Sequence, residues 1–269
     1  MSEAGGWYDA AYGGFALDAR ARVRQETYGE DIGSNGWMTA DELRLFIDRL
    51  GLDHASRVLD VACGSGGPSL FIAHSTGARV TGVDVNEAAV STAGQAARER
   101  GLEGLADFHV VDAGAPLPFE TGSFDAVLCI DAINHLPGRG AVLEDWCRLL
   151  RPGGRLLFTD PIVVSGLLTN EEIATRSSIG FFIFSLAEED ERLIAEAGLE
   201  LLRREDVTDA VADVSGRWVA SRERHREALV EDEGDGAYED FQRFLETVHT
   251  LARERRLSRF AFLARKPGG

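Results

Sequence analysis

Short apolar runs alternate with amphipathic stretches along the middle of the chain. The runs have the length of strands, and apolar side chains recur at helical spacing between them. The first strand leads into a glycine-rich turn and a helix within 57–73. Later strands are predicted over 78–85, 108–112, 124–130 and 155–159, and further helices are predicted over 87–100 and 141–150. This order favours a parallel, doubly wound α/β sheet, where ligands bind outside the carboxyl ends of the strands.

Helices are also predicted on both sides of this core. Residues 15–26 and 38–50 precede it, the second started by a capping box from Thr39 to Glu42. A second capping box, from Ser185 to Glu188, predicts a helix that ends at Ala197.

Two strands near the end of the chain, 199–203 and 258–264, are expected to pair antiparallel and complete a Rossmann-like, seven-stranded sheet. The long connection between them predicts two helices, 214–230 and 237–256, joined by the acidic stretch 231–236. The predicted divisions are N-terminal helices and lid at 1–50, the core at 51–210, a helical cap at 211–256 and the final strand and tail at 257–269.

The composition narrows the classes of partner. A formal net charge of −17 disfavours binding to nucleic acid or to an anionic membrane through a basic surface. The N-terminus lacks a signal-peptide pattern, and three scattered cysteines favour reduced thiols without a metal site. We expect a cytoplasmic protein with a small-molecule partner, and we leave a homodimer open.

The turn after the first strand has the features of a nucleotide cofactor site. Gly64 and Gly66 allow a ligand to approach backbone N–H groups at a helix N-terminus. Asp60 precedes them, and Asp84 ends the second strand twenty residues after Gly64, where a carboxylate suits a ribose diol. An NAD site is the rival interpretation, although Ser69 stands where that fingerprint has its third small residue.

These residues resemble the S-adenosylmethionine (SAM) site of class I methyltransferases. Residues 28–36 and 131–136 are similar to the small-molecule branch that contains phosphoethanolamine and glycine/sarcosine N-methyltransferases. The resemblance implies SAM as cofactor and S-adenosylhomocysteine as product. The expected cofactor contacts include the glycine turn, the two strand-end carboxylates and an upstream tyrosine. The full set is Tyr12, Ser34, Asp60, Ala62, Gly64, Gly66, Asp84, Val85, Asp112, Ala113 and Ile130. For Asp112, a solvated turn carboxylate is the alternative.

His135 is the candidate for the chemistry, because it follows the fourth strand on the side where an acceptor would meet the methyl group. Its imidazole could accept a proton, with an apparent pKa near 6–7, or could only orient the acceptor. The resemblance implies that a tyrosine pairs with this histidine, and Tyr12 is the nearest match. The other carboxylates expected at strand ends are Asp131 and Asp160.

Residues 27–37, which are rich in glycine and lie between two predicted helices, form either a lid over the cofactor or an ordinary interhelical loop. Upstream of it, Trp7, Tyr8 and Tyr12 could pack on the core or face the positive sulfur of SAM. Trp218 and Phe244 in the predicted cap are further pocket candidates.

The acceptor is expected to be partly apolar. The resembled enzymes hold a phosphate with a tyrosine after the fifth strand, whereas this chain has Pro161, and the apolar segments 162–168 and 179–184 follow with Arg176 between them. Those segments could instead only close the core. Nitrogen is the first expectation for the methylated atom, with carbon or oxygen in a secondary metabolite as alternatives. A SAM-binding regulatory protein without transfer activity and an NAD(P) enzyme remain the rival functions.

Overall fold

The computed structural model describes residues 8, 12, 14, 17–186 and 188–268. Helices α1 (Asp18–Tyr28) and α2 (Ala40–Leu50) come first, and the Thr39 side chain caps α2 by accepting a hydrogen bond from Glu42 N. Both helices were predicted; residues 15 and 16 of the first prediction lie outside the described residues.

The sheet has the expected doubly wound order. Its strands are β1 (Arg57–Val61), β2 (Arg79–Asp84), β3 (Ala106–Val110), β4 (Phe124–Cys129), β5 (Leu150–Val164), β6 (Ser185–Leu186), β7 (Glu200–Asp206) and β8 (Leu257–Arg265). The strand order is β3-β2-β1-β4-β5-β8-β7, with β6 paired to β5. β8 runs antiparallel to both β5 and β7, as predicted, and β6 raises the described strands from the predicted seven to eight.

The central strands are buried on both faces by helices. Helices α3 (Gly67–Thr76), α4 (Glu87–Glu99) and α5 (Arg139–Leu149) connect the parallel strands. In β4, Val127 and Cys129 belong to one apolar cluster, and Ala126 and Leu128 belong to the other. The alternation follows from the two-residue period of a strand. All four side chains are fully buried, so this sheet is a rigid base for the loops at its carboxyl edge.

The second half departs from the prediction around Ser185 and at the end of β5. Ser185 starts no helix: it lies in β6, and its hydroxyl donates to Asp160 Oδ2 at 2.7 Å. The helix there, α7 (Glu189–Glu196), has no side-chain cap. β5 continues through Asp160 to Val164, because β6 and β8 supply backbone partners beyond the predicted end.

The remaining helices are α6 (Asn170–Arg176), α8 (Thr208–Arg224), α9 (Arg226–Glu233) and α10 (Asp235–Arg253). The cap therefore has three helices where two were predicted, since the acidic stretch is largely helical. Trp218 and Phe241 pack there against Tyr28 and Trp37, which flank the predicted lid. None of the helices in the described part of the chain has the length and apolar character needed to span a membrane.

Candidate active site

A cavity of about 930 Å³ opens at the carboxyl ends of β1, β2 and β4. That volume lies at the upper end of ligand pockets, which span about 300–1,000 Å³. The predicted site residues that line it are Tyr12, Ser34, Asp60, Ala62, Gly64, Asp84, Val85, Asp112, Ala113, Ile130, Asp131 and His135. The structure thus brings together nearly the whole set. Gly66 instead packs below the turn, against Ala93 and Phe108.

The turn after β1 is shaped to receive a ligand on its backbone. Ala62 and Gly64 have φ angles of 56° and 54°, in the left-handed region. A Cβ on Gly64 would lie 2.6 Å from the Tyr12 hydroxyl, so only glycine admits that ring over the turn. The N-terminus of α3 follows directly and directs backbone N–H groups towards the cavity edge.

Asp84 joins the turn to the end of β2. Its Oδ2 accepts a hydrogen bond from Gly64 N at 2.8 Å, and its Oδ1 accepts one from Asn86 N at 2.9 Å. Burial raises the pKa of this carboxyl above its usual value, while those backbone N–H groups oppose the rise. Each oxygen retains a lone pair, so the carboxylate can accept two hydroxyl donors from a ribose.

Asp60 lies beneath the turn and is almost fully buried. Ser69 Oγ donates to its Oδ2 at 2.6 Å, and burial raises the pKa of Asp60 to about 7. A positively charged ligand beside Asp60 would favour its ionised form. Ser69, which stands where an NAD fingerprint has its third small residue, here holds the Asp60 carboxyl, an acid that the NAD fingerprint does not predict.

The far end of the cavity has an apolar face beside a polar edge. Val85 and Ala113 line it, and Val85 is largely exposed. Asp112 lies beyond β3, where its Oδ1 accepts from Gly114 N at 2.8 Å. One oxygen thus stabilises the turn, and an adenine contact by Asp112 stays a prediction.

Residues 29–37 cover the glycine turn. Ser65 Oγ donates to Gly33 O at 3.2 Å, and a Cβ on Gly67 would clash with the same carbonyl oxygen. Trp37 N donates to Asp131 Oδ2 at 2.8 Å. The segment is therefore fixed to the core at Gly33 and Trp37, and Ser34 lies between these contacts in the cavity wall.

His135 lies in a 3₁₀ turn (Ile133–His135) at the other end of the cavity. Its Nδ1 is 2.7 Å from Phe181 O, which can only accept, so Nδ1 carries the proton in the neutral ring. The unprotonated Nε2 then accepts from the Tyr8 hydroxyl, 3.2 Å away. Burial lowers the pKa of His135 to about 4, below the range of 6–7 expected from the sequence.

The hydroxyl at His135 belongs to Tyr8, whereas the resemblance had placed Tyr12 there. Tyr8 and Tyr12 are four residues apart with stacked rings, 6.4 Å between centroids, and Tyr12 reaches Gly64 instead. The two adjacent rings thus direct their hydroxyls to different parts of the cavity, that of Tyr8 to His135 and that of Tyr12 to Gly64. Trp7 lies outside the described residues.

Asp160 is not part of the cavity. It lies within β5, fully buried, and its Oδ2 accepts from Arg139 Nη1 at 2.6 Å. Asp190 accepts from the same nitrogen at 2.6 Å, and burial beside Asp160 raises the pKa of Asp190 to about 7. The extended β5 explains the error, because Asp160 precedes the end of the strand.

Residues 176–182 form the wall behind His135, and sequence reasoning gave them no specific contact. Phe181 lines the cavity, and the Phe182 ring lies 4.6 Å from the His135 ring. Arg176 lies between the rings of Phe182 and Phe244, 4.7 and 5.1 Å from their centroids. Within the described part of the chain, its buried Nη1 has no hydrogen-bond partner. Phe244 and Trp218 pack in the cap and do not line the cavity, contrary to expectation.

Comparison with known proteins agrees with this geometry. Residues 59–158 match the family model described as "Methyltransferase domain". The methyltransferase GfsG of Streptomyces halstedii is 38% identical over 60% of this chain, and the match spans 59% of that protein, less than two thirds of its length. The 27-O-demethylrifamycin SV methyltransferase of Amycolatopsis mediterranei is 30% identical over 78% of this chain and 80% of its own.

The resemblance to the N-methyltransferases is also confirmed, since phosphoethanolamine and sarcosine/dimethylglycine N-methyltransferases are among the relatives. Among solved structures, phosphoethanolamine N-methyltransferase 2 of Haemonchus contortus in complex with SAM superposes with a TM-score of 0.81. That match covers 97% of this chain and 60% of the other at 21% identity, and it supports the fold alone.

Proposed function

The chain belongs to the SAM-dependent methyltransferases, and on that premise we propose that it methylates a hydroxyl oxygen of a small, largely apolar molecule without a phosphate group. The observation that carries the proposal is the neutral pair His135 and Tyr8 at the apolar end of the cavity.

SAM is the cofactor of this family, and the residues present fit it. Five carboxylates line the cavity, Asp60, Asp84, Glu87, Asp112 and Asp131, with no lysine or arginine among the described lining residues. Such a lining favours a cationic ligand. The glycine turn leaves room for a ligand on its backbone, and Asp84 offers an oxygen pair for the ribose. When bound, SAM supplies a methyl group on a positive sulfur.

The acceptor end of the cavity favours a neutral molecule. Ala132, Leu136, Gly180 and Phe181 line it, and a phosphate would lack the fixed cationic donors that it needs. An ammonium group would need a carboxylate with a free oxygen. Asp131 lies on that side, but its Oδ1 accepts from Thr159 Oγ1 and Arg259 Nε, its Oδ2 accepts from Trp37 N, and the Arg259 guanidinium offsets its charge.

The proposed role of His135 is to orient the acceptor and receive its proton. A hydroxyl has to lose its proton as the new bond to oxygen forms, whereas a neutral amine does not need a base at that moment. Nε2 is the ring nitrogen that can accept, either directly or through the Tyr8 hydroxyl. The remaining rate acceleration is assigned to positioning of the two reactants.

Oxygen replaces nitrogen, the first expectation from the sequence, as the proposed methylated atom. The rifamycin methyltransferase, which is named for an oxygen atom, supports this choice as well. We place the acceptor among hydroxylated secondary metabolites.

The test is incubation of the purified chain and SAM with matched acceptors: a phenol, an aliphatic polyketide alcohol, sarcosine and phosphoethanolamine. We expect release of S-adenosylhomocysteine and a mass gain of one methylene only with the hydroxylated apolar compounds. Turnover of phosphoethanolamine or sarcosine alone would refute the assignment of the acceptor. Absence of any S-adenosylhomocysteine across a broad set of acceptors would favour the regulatory alternative.

A further inference from the structure

Asp131 lies between the strand that leads to His135 and the segment that covers the cofactor end. It directly follows Ile130 at the end of β4, and its Oδ2 accepts from Trp37 N at 2.8 Å. A Cβ on Gly36 would lie only 2.9 Å from the same oxygen, so the backbone of residues 36–37 packs in close contact with this carboxylate. The carboxylate is therefore a direct anchor for residues 29–37.

The backbone of Asp131 is strained in a way that aims the side chain. Its φ angle of 54° lies in the left-handed region, which is uncommon for a residue with a Cβ. The Thr159 hydroxyl holds this conformation, because it accepts from Asp131 N and donates to Asp131 Oδ1, both at 2.7 Å. Strain in a cavity-lining residue, fixed by a second strand, indicates a position that the site requires.

Arg259 supplies the counter-charge from β8. Its Nε donates to Asp131 Oδ1 at 2.6 Å, and its Nη1 donates to both oxygens of Glu42 at 2.7 and 2.8 Å. The arginine side chain is fully buried, so these contacts are screened little by water. Glu42 lies in the first turn of α2, the helix that begins where residues 29–37 end. One buried network thus joins β4, β8, α2 and the covering segment.

We infer that Asp131 is a positioning residue that holds residues 29–37 closed against the cofactor, with Arg259 as its charge partner. Ser34 and Gly36 line the cavity within this segment, so its placement decides whether they reach the ligand. The inference rests on the proposed function, since closure of the segment serves methyl transfer only if SAM occupies the cavity.

The chain contains a matched network that can serve as control. Arg139 also bonds two buried carboxylates, those of Asp160 and Asp190. Asp190 resembles Asp131 in burial and in its arginine partner, but it neither lines the cavity nor contacts residues 29–37. A purely structural role for Asp131 would therefore make the two aspartates equivalent in their effect on SAM.

The experiment compares Asp131→Asn, Gly36→Ala and Asp190→Asn in the full chain. Gly36→Ala places a methyl group against Asp131 without changing a charge, and it remains informative if Asp131→Asn fails to fold. SAM affinity is measured by calorimetry, and amide hydrogen exchange is followed across residues 29–37. We expect SAM to bind about tenfold more weakly to the first two variants, which is the scale of one hydrogen bond to a charged group. We also expect faster amide exchange in both. Asp190→Asn should match the wild type in both.

Rescue gives a second readout. Arg259→Lys retains a cation near Asp131 and should keep SAM affinity closer to wild type than Arg259→Met does. Wild-type affinity and exchange in both Asp131→Asn and Gly36→Ala would overturn the inference, as would equal effects in Asp190→Asn. Failure of the proposed function differs from this outcome, because hydroxylated acceptors would then stay unmethylated while SAM binding still responded to these variants.

Discussion

The two halves of the cavity are built by different means. Most of the cofactor half comes from the stretch of chain between β1 and Ala113, covered by residues 29–37, and it relies on backbone N–H groups and a few carboxylates. The acceptor half depends on side chains far apart in sequence, such as Tyr8 and His135, which are 127 positions apart. The first half suits one invariant ligand, and the second can change its acceptor through the loops and helices that surround it.

The largest effect should come from the cofactor half. Asp84→Ala removes the acceptor of two backbone N–H groups and the expected partner of the ribose. SAM affinity should fall by about 2–3 kcal/mol, the scale for hydrogen bonds to a charged group. Calorimetry with SAM measures the loss, with Asp107→Ala at an exposed site on β3 as control. Unchanged affinity would remove Asp84 from the cofactor site.

His135→Ala should act on the acceptor half alone. We expect kcat to fall on the order of 10²-fold, because the proton acceptor is lost, with SAM affinity nearly unchanged. Steady-state kinetics with the acceptor found above, and calorimetry with SAM, separate these effects. His109→Ala, at an exposed histidine of β3, is the matched control. A purely orienting His135 would raise KM for the acceptor and leave kcat near wild type.

Tyr8→Phe should have a smaller effect in the same half. It removes only the hydroxyl that bonds to Nε2 of His135 and keeps the ring, so a loss of about fivefold in kcat/KM follows from one neutral hydrogen bond. Tyr12→Phe should leave acceptor kinetics unchanged, because that hydroxyl lies over Gly64. A loss of kcat/KM in Tyr12→Phe with none in Tyr8→Phe would instead support the pairing of Tyr12 with His135 that the resemblance implies.

The smallest change concerns pH. Because burial lowers the pKa of His135 from 6.5 to about 4, the ring is neutral between pH 8 and 5. We therefore expect kcat not to fall as the pH drops from 8 to 5. Between pH 6.5 and 4 the unfolded chain binds a proton at this ring that the folded chain does not. Folding stability should therefore fall as the pH drops through that window, and His135→Gln should lessen the fall. An acid limb at pH 6–7 that His135→Gln abolishes would contradict the buried, neutral ring.

The same division explains what the sequence could predict. The glycine turn, Asp60 and Asp84 follow from local spacing, because their geometry arises within one strand–turn–helix unit and its neighbour. The strand order follows from the alternation of elements.

The failures at the site involve contacts across long sequence separations. Whether Tyr8 or Tyr12 meets His135 has no local signal, since the two tyrosines are only four residues apart and His135 is 127 positions from Tyr8. Asp160 was misplaced because the length of β5 is set by β6 and β8, which follow much later in the chain. The bond from Trp37 N to Asp131 has no local signal, although the strained backbone of Asp131 marks it once the structure is known.

The central claim, that one cavity places a SAM methyl group before His135, is tested most directly by a crystal structure with SAM bound. The account predicts both ribose hydroxyls on the Asp84 oxygens, adenine beside Val85 and Ala113, and the methyl group directed towards His135 and Tyr8. A cofactor whose ribose avoids Asp84, or whose methyl group points away from His135, would contradict it.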